Sequence, residues 1–262
     1  MGPSTEVLRS IAAASRQSGV SFDYLMNQAR MESGFNPAAK APTSTASGLY
    51  QFTQQTWLAT LEAHGAEHGL GWTADAIAHS PGGGYSVGDP AARQAILDLR
   101  NDPDVAASMA AELASDNGAV LSQQLGRAAS PADLALAHFL GSAGAVKFLS
   151  ALDSAPDASA APLFPEAAAA NRNIFYDRSG APRSLAEIRD RFAAKVGAPV
   201  PAFAGAPALA SVTTTSRQQF RDEAHGSGAT ARLAEIEPMP AHLSLSFAQA
   251  AYKRLSALGG DA

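Results

Sequence analysis

Glu32-Ser33-Gly34-Phe35-Asn36-Pro37, and shortly after it Ser47-Gly48-Leu49-Tyr50-Gln51-Phe52, decide how the chain is read. Upstream, Ser21 is a good helix N-cap, and Asp23 in the first turn opposes the helix dipole. Leu25, Gln28 or Ala29, and Glu32 recur at helical spacing and share one face. Gly34 supplies a C-terminal turn, and Pro37 prevents continuation. Glu32 is therefore expected on the core-facing side of a helix, in its last turn. At that place the negative end of the dipole and the loss of water both favour a carboxyl that keeps its proton. Such a group suits general acid chemistry. Residues 36–52 read as a loop, with a short strand or hairpin near Leu49-Tyr50-Gln51-Phe52.

The flanking sequence is mostly helical in pattern. Val7, Leu8, Ile11 and Ala14 predict a helix over 5–18, ended by Gly19. Thr53 caps a helix carrying Trp57, Leu58 and Leu61, and both Trp57 and Trp72 read as core residues. Residues 79–88 read as a flexible connection. Asp89-Pro90, Asp102-Pro103 and Ser130-Pro131 each pair a cap with proline at the first helical position. They predict helices over about 91–100, over 103–125, and from 131 onward, the last interrupted at Gly141 and Gly144. Pro156 to Pro165 reads as a linker-like turn region. Ser184-Leu185-Ala186-Glu187 is a capping box for a helix ending near Gly197. The expected fold class is mainly α, a helical domain over 5–197 with a small β or irregular element. Residues 198–216 are rich in Ala, Pro, Ser and Thr and read as a linker. Residues 198–262 as a whole read as linker and tail, in part disordered, with a short amphipathic helix near 244–257.

Composition removes several function classes. The net charge of −5 comes with no basic stripe, so nucleic acid is not an expected partner. Cysteine is absent, which excludes disulfides, thiolate zinc sites and thiol catalysis. No apolar run reaches bilayer-spanning length, so no transmembrane segment is expected. Met1 to Glu6 has neither the basic start nor the apolar core of a signal peptide, which leaves the export route open. His64-Gly65-Ala66-Glu67-His68 fits an H-x-x-E-H zinc pattern. Gly65, Gly69 and Gly71 argue instead for a helix end and a solvated histidine pair, so no metal is expected.

The order of these parts resembles the lytic transglycosylases, the lysozyme-like enzymes that cut bacterial peptidoglycan. Glu32-Ser33, Phe35 and Asn36-Pro37 match the family's first motif; Ser47-Gly48-Leu49, Gln51 and Phe52 match its second. Ala135-Leu136-Ala137-His138-Phe139-Leu140-Gly141 with Gly144 is similar to the third, with Phe139 and Leu140 where the family usually has tyrosine and asparagine. Ile174-Phe175-Tyr176 resembles the closing segment that brings a tyrosine over the acid. The resemblance implies a lysozyme-like α+β domain with the small β element beside a sugar-binding cleft. It implies cleavage of the MurNAc–GlcNAc β-1,4 bond with closure of a 1,6-anhydro ring. Glu32 would be the single acid and base, assisted by Tyr176. Gln51, Tyr50, Ser47, Phe139, His138 and Thr43 would contact substrate. No metal or organic cofactor is implied, and the expected place of action is the periplasm or cell envelope.

Two other readings fit the same residues. A hydrolytic lysozyme-type muramidase would need a second carboxylate, such as Glu62, Asp75 or Asp89, to position water. A non-catalytic peptidoglycan-binding module of a cell-envelope assembly would keep the cleft without the chemistry. The tail favours some assembly role, with a flagellar or secretion-system component as the expected partner.

Overall fold

The computed structural model describes residues 2–42, 44–80 and 83–198. Thr43 lies outside them, as do the expected linker and tail beyond Ala198, with the 244–257 helix. Helices α1 (Thr5–Ser18), α2 (Phe22–Ser33) and α3 (Gln54–His64) come first. A 3-10 turn, Gly65–His68, leads to α4 (Gly71–Ala76) and a hairpin of β1 (Ile77–His79) and β2 (Tyr85–Val87). Then come α5 (Pro90–Asp98), α6 (Pro103–Leu125) and α7 (Pro131–Ser154). The short α8 (Pro165–Ala170) and α9 (Arg172–Phe175) precede α10 (Leu185–Val196). The fold class is mainly α with one small antiparallel sheet, as the sequence pattern predicts.

The caps act as anticipated. Ser4, Ser21 and Thr53 accept from the amides of Val7, Tyr24 and Thr56. Ser130 with Asp133, and Ser184 with Glu187, form reciprocal capping boxes. Each such cap is worth about 1 kcal/mol.

Two clusters of buried side chains share the helices. Val7, Ile11, Leu25, Met26, Leu49, Trp57, Leu61 and Met109 belong to the first. Leu121, Leu136, Phe148, Leu149, Phe175 and Leu185 belong to the second. Leu134 of α7 and Phe192 of α10 pack against both, and α6 contributes to each. The Asn27 amide of α2 donates to Val196 O at 2.8 Å and to Ala198 O at 3.0 Å, which ties the end of α10 to α2.

Several local expectations are corrected. Leu49 to Phe52 forms a turn, closed by isolated bridges between Lys40 and Ser47 and between Ser47 and Phe52. The hairpin instead occupies the stretch read as a flexible connection. Gln55 of α3 makes it so: its side chain donates to Tyr85 O at 2.9 Å and accepts from Tyr85 N at 2.8 Å. One glutamine amide thereby pairs a strand residue's backbone in both directions. Within 156–165, Ala160 and Ala161 are buried in the second core, so this stretch is packed structure and not a linker. Trp57 is core, its indole donating to Ile96 O at 2.7 Å, but Trp72 on the short α4 is 45% exposed. Gly141 (φ 76°, ψ 161°) interrupts α7 as expected, while Gly144 stays within the helix.

By length and composition α7 is apolar enough to cross a bilayer, contrary to expectation. Its kink and the packing of Ala135, Leu136, Phe148 and Leu149 are those of a core helix, which passes the same test of composition.

Gly48 has φ +83°, and a Cβ there would lie 1.8 Å from Arg100 O. Gly126 has a similar φ of +68° with nothing within 4 Å. Gly126→Ala should therefore cost only the left-handed penalty of about 1–2 kcal/mol. Gly48→Ala adds a backbone collision and should cost roughly 3 kcal/mol or more. Urea midpoints of the two variants check the difference; equal losses would mean that the close approach to Arg100 is not a constraint.

Candidate functional site

The site is assembled at the C-terminal end of α2. Gly34 (φ 61°) ends the helix, its amide bonding Arg30 O at 3.0 Å, and the Phe35 amide reaches Ala29 O at 3.2 Å. This double turn swings the chain away just after Glu32, which stays buried on the core side. Tyr24, Gln28 and Glu32 lie at four-residue spacing on one face of α2, and all three are buried. Gln28 Nε2 donates to the Tyr24 hydroxyl at 2.8 Å.

Across from α2, the first half of α7 brings His138 to Glu32. Its Nε2 lies 3.1 Å from Glu32 Oε1, with side-chain exposures of 22% for His138 and 4% for Glu32. The carboxylate accepts when Nε2 carries a proton; a protonated carboxyl donates when it does not. In either case the two groups share one hydrogen bond along a single axis. His138 sits one turn before the Gly141 kink, so α7 changes direction just past its contact with Glu32.

Loop 36–52 is fastened on several sides. Ser33 Oγ donates to Leu49 O at 2.8 Å, and Gly48 N donates to Ala39 O at 2.8 Å. Gln51 Nε2 donates to both Ala39 O at 3.0 Å and Gly48 O at 2.9 Å. From the turn after α5, Arg100 Nη1 donates to Thr45 O at 2.6 Å and Phe52 O at 3.2 Å. Ser47 Oγ donates to Asn101 Oδ1 at 3.1 Å. Among the described residues, Phe35 (φ 67°) and Gln51 (φ 50°) are the two non-glycine positions with positive φ. Each costs about 1–3 kcal/mol. Both fall in the segments that flank Glu32.

Tyr24 and Tyr50 are neutral here. Burial pushes the Tyr24 hydroxyl well above its usual range, the Gln28 hydrogen bond offsets part of this, and the nearby charge of Glu32 adds to the rise. Burial, with a contribution from Tyr24, does the same for Tyr50. The Tyr50 hydroxyl is buried and has no hydrogen-bond partner among the described residues.

Of the residues expected from sequence, Glu32 and His138 are in contact, while Ser47, Tyr50 and Gln51 form the adjoining loop. The Phe139 ring packs on Phe192 at 5.3 Å and Phe175 at 6.3 Å. Tyr176 stacks under the Arg172 guanidinium at 4.6 Å, with its backbone bridged to Pro182. Tyr24 was not anticipated, although its four-residue spacing from Gln28 and Glu32 is a signal that could have found it. Arg100 and Asn101 carry no such signal, since they reach the loop only through the fold.

Gln51→Met would keep the volume but leave Ala39 O and Gly48 O without their donor. Each buried acceptor left unpaired costs about 1–3 kcal/mol. Thermal unfolding should report a loss of that size even without substrate; an unchanged Tm would mean that the amide does not hold the loop.

Residues 9–68 match the family model described as the transglycosylase SLT domain. The match runs from α1 through the turn after α3, taking in Glu32 and the fastened loop but neither His138 nor Tyr176. Over this span the chain is similar to the transglycosylase SLT domain, which is consistent with the lytic transglycosylase and lysozyme-like superfamily and at family level supports action on peptidoglycan.

Proposed function

We propose that the protein is a peptidoglycan lytic transglycosylase that cleaves the MurNAc–GlcNAc β-1,4 bond with Glu32 as its single acid and base. The observation that carries this reading is the buried Glu32 carboxyl, held by His138 in a segment matching the transglycosylase SLT domain. Glu32 donates its proton to the glycosidic oxygen as the C1–O bond breaks. The carboxylate left behind is stabilised by the His138 imidazole. It then takes the proton of the C6 hydroxyl as that oxygen closes on C1. GlcNAc leaves with a free 4-hydroxyl, MurNAc leaves as its 1,6-anhydride, and Glu32 is reprotonated. An internal nucleophile has a high effective concentration, so no second carboxylate is required.

The state of the other carboxylates supports this over hydrolysis. Glu62 lies 3.5 Å from His79, and Asp89 caps α5 through the Ala92 amide at 2.6 Å. Two of the three acids a hydrolase would draw on are thus engaged elsewhere. His138 is a positioning residue in this scheme. Ser47, Tyr50, Gln51 and the backbone of their loop form the wall beside the acid, with Thr43, Phe139 and Tyr176 as further contacts to sugar. The reading carries action at the cell envelope. It also makes residues 198–262 the recruiting piece for a flagellar or secretion-system component.

Mass spectrometry of digested peptidoglycan tests the chemistry. Products ending in 1,6-anhydroMurNAc are expected, lost roughly 10²- to 10⁴-fold in Glu32→Gln. Reducing-end MurNAc would mean hydrolysis, and no product from either protein would mean a binding module. His138→Ala should lower kcat on the order of 10²-fold with little change in KM. His138→Gln, which restores a donor, should recover part of that loss. Equal activity in all three proteins would remove His138 from the mechanism.

A further inference from the structure

A second cluster of chemically competent side chains lies where α3 meets α6. His64 ends α3, Glu67 and His68 sit on the 3-10 turn that follows, and Glu112 and Asp116 stand one turn apart on α6. The sequence pattern predicts a solvated histidine pair, but both imidazoles are largely covered, with side-chain exposures of 16% for His64 and 10% for His68. His64 Nε2 lies 2.7 Å from Asp116 Oδ2. His68 Nε2 lies 3.2 Å from Glu112 Oε1. The Asp116 contact makes Nε2 the protonated nitrogen of His64 in its neutral form, which turns the lone pair of Nδ1 inward. That Nδ1 is buried and has no hydrogen-bond partner among the described residues. Its nearest carboxylate oxygen, Glu112 Oε2, is 3.9 Å away, beyond hydrogen-bond range. A buried polar atom left in this way needs a physical reason.

We propose that His64, Glu67 and Glu112 bind a divalent transition-metal ion of the zinc type, with Asp116 and His68 orienting the ligands. Ligand-type atoms of the three residues lie within 4.8 Å of one another. A carboxylate behind the imidazole is the usual way a metal-bound histidine is fixed, and it raises the basicity of the ligating nitrogen. One imidazole nitrogen with two carboxylates suits zinc and disfavours calcium, which prefers an all-oxygen shell. Zinc ligands at about 2.0–2.2 Å would draw the three atoms together by roughly 1 Å. Glu67 is exposed on a four-residue turn and supplies that movement. The carboxylates of Asp116, Glu112 and Glu67 surround the His64 imidazole, an arrangement that suits a bound cation. The ion would clamp the end of α3 to α6, two elements far apart in sequence. This departs from the protease use of H-x-x-E-H, because α3 stops at His64 and the third ligand comes from another helix.

The test uses the full chain, stripped with chelator, in calorimetric titrations with zinc chloride alone and calcium chloride alone. Thermal unfolding is followed with and without zinc. One zinc per chain is expected, with no calcium binding and a higher Tm in zinc. Glu67→Gln alters an exposed side chain, so its metal-free Tm should match the parent. Its zinc affinity should fall at least about 10-fold, and its zinc-dependent rise in Tm should vanish. His64→Gln should weaken zinc at least as much. Absence of stoichiometric zinc binding would overturn the proposal. So would zinc affinity unchanged in both variants, which would place the ion on other groups of the chain, such as His225 or His242. Calcium binding as tight as zinc would overturn it too, by making the site a plain carboxylate patch.

Discussion

Glu32 and His138 are 106 residues apart in sequence and 3.1 Å apart in space, and among the described residues that contact depends on how several helices pack. Glu32 needs α2 to end at Gly34, so that the carboxyl remains on the core side while the chain turns away. His138 needs α7 to cross at the right height, and α7 is positioned by α6 and α10 rather than by α2 alone. Leu134 and Phe192 pack against both clusters of buried side chains and so join the two parts of the core. A polar group at this depth needs a hydrogen-bond partner, and the imidazole from α7 supplies one.

Loop 36–52 shows how an irregular segment is made rigid. It has almost no regular secondary structure of its own, yet its carbonyls are taken by Gln51, Ser33 and Arg100. The strained backbone at Phe35 and Gln51 is affordable because these bonds over-determine the conformation. A stiff wall beside a buried acid favours chemistry that depends on orientation, since a misplacement of about 1 Å costs on the order of 10²-fold in rate. The same economy explains Gly48, where Arg100 approaches too closely for any side chain.

Much of this was legible in the chain because it depends on short-range chemistry. Ser4, Ser21, Thr53, Ser130 and Ser184 cap helices through their own near neighbours, and proline after Asp or Ser marks helix starts without reference to the rest of the fold. Glu32 could be placed on the buried face of α2 by counting residues. The errors have a common origin. The hairpin at Ile77–Val87 depends on Gln55, and the burial of Ala160 and Ala161 depends on the second core. Neither cause lies within the segment it governs.

Local periodicity, capping residues and motif spacing were enough to set the helical class, the boundaries of the main helices and the burial of Glu32 on α2. Each rests on interactions within about one helical turn. The partners were another matter. His138 on Glu32, Arg100 and Asn101 on the loop, and Glu112 and Asp116 on the His64 turn are all contacts between elements dozens of residues apart. Such pairings carry no periodic signature. They exist because helices pack at definite heights and angles, and those are set by the shapes of many side chains acting together.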